Sequence, residues 1–168
     1  MALKADRHEL DTDISFFMNE TAEKGQIVVL STVGSGAAMD QGKALVTVAE
    51  ATTSNVVAGV LLNDVVDLDL TRQHINFHKD EVQKGGKVSI LKKGYVVTDQ
   101  IEGTPTAGAL AFMDDADTGK FAVAASVDDT EYTAVGRFMS TKDEDGYCKV
   151  EVNLPIPIQN TVAGALLK

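Results

Sequence analysis

The chain has 168 residues, 15 Lys plus Arg against 25 Asp plus Glu, and a formal net charge of -10. Forty-four per cent of the residues are apolar, enough for the core of one domain with arms and too many for a chain that stays disordered. The acid surplus leaves little to gain from neutralising phosphates, so no direct nucleic-acid partner is expected, and no apolar run approaches the roughly 20 residues of a spanning helix, so no membrane is expected either.

The chain opens MALKADRHE, with no basic stretch leading into an apolar run, so no secretory signal is expected. One cysteine, Cys148, excludes an internal disulfide and the paired-thiol zinc sites. Both features fit synthesis in a reducing cytoplasm.

Residues 1–24 mix polar side chains with one apolar knot, Ile14, Phe16, Phe17 and Met18. No helical stripe runs through them, and they are read as an N-terminal arm. Two adjacent rings on an extended segment point to opposite faces, so such an arm needs two surfaces, its own domain and a neighbour.

From residue 25 to 154 the text changes to short runs rich in Val, Ile, Thr and aromatics, broken by Gly, Asn and Asp about every ten residues. Strands are predicted at 26–31, 44–49, 55–62, 86–91, 94–98, 109–113, 121–125, 133–139 and 147–154. The last alternates cleanly, with Cys148, Val150, Val152 and Leu154 on one face and Tyr147, Lys149, Glu151 and Asn153 on the other. Asp117-Thr118-Gly119 and Asp145-Gly146 supply turn residues that accept positive φ. The expected class is all-β, a compact antiparallel barrel or sandwich with extended N- and C-terminal arms.

A repeat is also visible. Gly42-Lys43 and, 17 residues on, Gly59 are matched by Gly119-Lys120 and Gly136 at a constant offset of 77, and the strand openings Gly25-Gln26 and Gly108-Ala109 match at 83. Two copies of a three-strand unit, 25–64 and 108–141, are expected. Residues 155–168 begin Pro155-Ile156-Pro157 and end Ala165-Leu166-Leu167-Lys168. Proline cannot donate to a ladder, so these residues are read as a second arm, with Leu166 and Leu167 as its apolar grip.

Chemistry-bearing groups do not converge. His74 and His78, four apart, would share a side of a helix or a strand, but four strand residues span about 13 Å, too far to share an ion, and no third histidine follows at metal spacing. Asp114, Asp115 and Asp117 lack the glutamate that completes a calcium loop. No Gly-x-Ser-x-Gly elbow occurs, and Cys148 alternates with core residues. No catalytic residue, metal or cofactor is expected, and the protein is read as a non-enzyme.

The patterns Lys24-Gly25-Gln26-Ile27-Val28-Val29-Leu30, Val57-Ala58-Gly59-Val60-Leu61-Leu62 and Val82-Gln83-Lys84-Gly85-Gly86-Lys87-Val88 carry a resemblance to a known family. So do Thr106-Ala107-Gly108-Ala109-Leu110-Ala111-Phe112, Ala134-Val135-Gly136-Arg137 and Val150-Glu151-Val152-Asn153-Leu154. Together they resemble the small β-domain decoration proteins, also called cement or head-stabilisation proteins, of tailed bacteriophages. The resemblance implies a virion protein on the capsid exterior, a homo-oligomer with a trimer favoured, seated over junctions between subunits of the major capsid protein. The residues themselves agree, since an acidic, siteless body with apolar ends suits a clamp. The gripping residues are then Ile14, Phe16, Phe17, Met18, Leu166 and Leu167, and deletion of residues 1–24 is expected to abolish attachment while the domain stays folded. Two rivals are a receptor- or carbohydrate-binding virion module, poorly supplied with no Trp and three Tyr, and a trimeric β-fold hydrolase acting between subunits.

Overall fold

Among the described residues apolar runs become strands whether they alternate or not, and the distinction decides how many of their faces are covered. The computed structural model describes residues 3–4, 6–34, 43–46, 56–64, 80–113, 119–123 and 134–154. Among the described residues there are eleven strands and no helix: β1 (His8–Met18), β2 (Ala22–Glu23), β3 (Ile27–Gly34), β4 (Lys43–Val46), β5 (Val57–Asp64), β6 (Glu81–Val82), β7 (Lys87–Thr98), β8 (Leu110–Met113), β9 (Phe121–Ala122), β10 (Ala134–Phe138) and β11 (Cys148–Asn153). The protein is all-β, as its short strand-forming runs imply.

Nine strands form one sheet in the order β1-β4-β3-β5-β7-β11-β10-β8-β9, and β1 also pairs with β7. That extra pairing closes a ring through β1, β4, β3, β5 and the first half of β7, so none of those five strands ends the sheet. The second half of β7 keeps β1 on one edge and takes a new neighbour on the other. It pairs with β11, which continues to β10, β8 and β9, and Phe121 of β9 bridges in parallel to Ile101, just past the end of β7. A second ring therefore follows the first, and β7 belongs to both.

The two rings use the same pairings. In the first, Ile27 faces Val60, Val28 faces Gly59 and Val29 faces Val57, so that Ala58 is bulged out. In the second, Leu110 faces Arg137, Ala111 faces Gly136 and Phe112 faces Ala134, so that Val135 is bulged out. Gly25 and Gly108, each with φ of 89°, open the first strand of each set, a left-handed turn that a side chain with Cβ resists. The Gly25 amide donates to the Leu61 carbonyl and the Gly108 amide to the Phe138 carbonyl, both at 2.8 Å. Each ring closes through a parallel contact, Met18 with Leu45 in one and Ile101 with Phe121 in the other.

Their interiors match too. Met18, Val28, Ala58, Leu61, Val88 and Ile90 are buried together in the first ring, with Ala22 and Val82 of the small β2·β6 ribbon added to them. The corresponding Ile101, Ala111, Val135, Phe138, Cys148 and Val150 are buried together in the second. The outer faces do not match. Ile27, Val60 and Leu91, a row across β3, β5 and β7, are fully buried and join the second ring's cluster. The run Ile27-Val28-Val29 is continuous because both its faces are covered.

Two expectations change. Residues 8–18 are a strand of the body rather than part of an arm extending from it: β1 runs antiparallel along β7 from His8 opposite Tyr95 to Phe17 opposite Lys87. The strands predicted at 86–91 and 94–98 are one strand, β7, whose halves serve different partners along the same edge, β5 up to Leu91 and β11 from Lys93. Residues 155–168 lie outside the described residues.

Candidate functional site

The residues singled out for gripping a partner separate once β1 is laid on the sheet. Met18 is 2% exposed and belongs to the first ring's core, so it cannot also reach a neighbour. Phe16 and Phe17 are half-buried, and Phe16 packs against that core. The Lys92 ammonium lies 5.8 Å from the Phe16 ring centre and donates to the Asp13 carboxylate at 2.7 Å, fixing the middle of β1 to β7. Ile14 stays outside, 54% exposed. Leu166 and Leu167 lie outside the described residues.

The same strand carries an apolar residue that the reading of the sequence passed over. Leu10 is 70% exposed, more than any other large apolar residue among the described residues. Standing singly in His8-Glu9-Leu10-Asp11, it forms no run. The signal that could have found it is the two-residue period Leu10, Thr12, Ile14 set against Glu9, Asp11, Asp13. β1 thus offers Leu10 and Ile14 to solvent within an acidic frame.

A second surface lies on the outer face of the second ring. Cross-strand partners line up as Leu110, Arg137, Glu151, Tyr95 and His8 across β8, β10, β11, β7 and β1. Leu110 is 50% exposed, as is Met139 beside it. The Lys149 ammonium sits 3.7 Å over the Tyr95 ring, and the rings of His8 and Tyr95 meet edge-on at 5.6 Å. Apolar, aromatic and cationic groups on one rigid face are the composition that protein interfaces favour.

Polar groups elsewhere are used for structure. The buried Gln100 takes the Thr98 hydroxyl as acceptor for its amide and donates its side-chain NH2 to Glu23 and Asp99, linking the β2·β6 ribbon to the end of β7. The buried Cys148 thiol donates to the Ser140 carbonyl at 3.0 Å. Asp143 organises the acidic turn, accepting from the amides of Asp145 and Tyr147 and, at 2.9 Å, from the Lys4 ammonium. That last bond holds the Asp143 carboxyl below its ordinary value and lifts Lys4 above its own. Burial, with the Asp99 charge behind it, pushes the Tyr147 phenol up. Among the described residues the arrangement offers exposed surface, and no three His, Cys, Asp or Glu side chains gather to hold a metal ion; His74, His78, Asp114, Asp115 and Asp117 lie outside the described residues.

A family model described as XM1 gp53 minor capsid protein matches residues 5–154 of the chain. The match takes in β1 together with both rings and stops where β11 has ended. No curated protein matches.

Proposed function

Because the chain belongs to the XM1 gp53 minor capsid protein family and so is a structural protein of the phage capsid, we propose that it decorates the outside of the shell. It binds major capsid protein subunits at their junctions and stiffens the shell there, acting through surface coverage without catalysis. It is made in the host cytoplasm and carried on the virion exterior as a homo-oligomer.

The observation that carries this reading is the exposure of Leu10 and Ile14 on a strand that is otherwise bound firmly to the body. Isolated exposed apolar side chains are common, but two on one strand already paired to the body can be buried without ordering any new chain. Full burial of each is worth about 1.5–3 kcal/mol. Contacts of that size are weak singly and become strong when many copies act on one lattice. Leu166 and Leu167 are proposed to add a second grip from the C-terminal end.

The test adds purified protein to heads that lack it and follows co-sedimentation and the temperature at which the shells open. Saturable binding that raises the opening temperature supports the proposal; protein left in the supernatant at saturating concentration overturns it.

A further inference from the structure

The second ring repeats the first in its strand order, its bulge, its opening turn and its parallel closure. The copies part company on the outside. In the first ring the row Ile27, Val60, Leu91 is fully buried, because the second ring lies over it. The Ile27 amide donates to the Gly119 carbonyl of the second ring at 2.6 Å. At the same three places the second ring has Leu110, Arg137 and Glu151, all exposed, and among the described residues no further ring covers them.

We propose that the chain is a tandem duplicate of one five-stranded unit, and that this outer face of the second unit seats a second copy of the chain. The inference rests on the capsid reading only in supplying a reason for self-association. It goes beyond it in naming the face.

Three observations favour a second copy as occupant. The equivalent face of the first unit is already covered by another unit of the same kind, so the surface type is one that this fold covers. The face has a small positive balance, with Lys93, Arg137 and Lys149 against Glu151 and Asp11, which stands opposite Lys93, whereas the chain as a whole carries -10. Complementary acid is present on every copy in the exposed turn residues Glu144 and Asp145. Finally, Leu110 and Met139 supply apolar area at the centre of that charged field, the arrangement in which anchors and a polar rim divide affinity and orientation between them.

The experiment is sedimentation velocity on the full chain at low and high salt, comparing wild type with Leu110→Glu/Met139→Glu and with Arg137→Glu. Thermal unfolding by circular dichroism verifies that each variant folds; the replaced side chains already face water. Wild type should self-associate, less at high salt, and each variant should weaken association by about tenfold or more, the effect of losing 1.4 kcal/mol. A wild-type chain that stays monomeric at the highest attainable concentration overturns the proposal, as does association that the variants leave unchanged. If the protein is monomeric and the same variants lose binding to heads, the face belongs to the shell contact instead. The β1 variant Leu10→Lys/Ile14→Lys separates the two readings: it should keep self-association and lose the heads, and if it keeps both, the β1 shell contact fails while the self-association face stands.

Discussion

Gly59 and Gly136 stand at the same place in two copies of one strand pattern, each beside a backbone carbonyl that leaves no room for a β-carbon. A Cβ on Gly59 would lie 2.6 Å from the Leu91 carbonyl oxygen, and one on Gly136 would press still harder on that of Glu151. Neither carbonyl can swing aside, because both belong to the next strand of the ladder. Gly59→Ala and Gly136→Ala should therefore each cost about 1–3 kcal/mol, with Gly136→Ala the larger. Urea denaturation measures this, and a loss within the ~0.5 kcal/mol of an ordinary surface change would contradict it.

Removing residues 1–24 should unfold the first ring, since β1 fills its place between β4 and β7. A collapsed near-ultraviolet signal or a lost unfolding transition is expected, and a cooperative transition unchanged in midpoint would show that β1 is dispensable. Met18→Ala should cost about 2–5 kcal/mol as a core truncation. Leu10→Lys should stay within about 0.5 kcal/mol of wild type.

Cys148 is 1% exposed, and its thiol is bonded to the Ser140 carbonyl. Thiol reagents need an accessible thiolate. The native protein should leave a chromogenic disulfide reagent unreacted over the time in which the urea-unfolded chain consumes one equivalent. Equal rates in the two states would place the thiol at the surface.

The Lys4–Asp143 pair gives a small and signed pH dependence. Asp143 titrates below its ordinary 3.8 in the folded chain, so its contribution is present above that value and is lost as pH falls through the lowered one. Lys4 titrates above its ordinary 10.5, so its contribution is complete below that value and fades as pH rises through the raised one. Both side chains are largely in water, where such pairs contribute little. Asp143→Asn should lower the thermal midpoint slightly at neutral pH and not at all once the wild-type carboxyl is protonated. A larger loss in acid than at neutral pH would reverse the sign.

Much of the body is legible in the residues, because strand propensity and turn chemistry act locally. The stretches that become β3, β5, β8, β10 and β11 all show in their spacing, and Gly59 and Gly136 mark the repeat before any pairing is known. β1 is hidden because its apolar residues are single, Leu10 and Ile14 outside and Met18 inside, and because its partners lie far along the chain at Lys87–Thr98. Pairing at that separation leaves no local trace. The union of two predicted strands into β7 is hidden for a related reason: Lys92-Lys93-Gly94 reads as a turn, but the strand passes through it while its neighbour on one edge changes. The same limit hides the burial of Met18, which depends on closure of the ring.

The most direct measurement is a cryo-electron reconstruction of the virion at a resolution that traces strands. The chain should appear outside the shell over contacts between major capsid protein subunits, with the β1 edge at Leu10 and Ile14 turned toward them. Density for it on the inner surface, or at the tail rather than over the shell, would contradict the account.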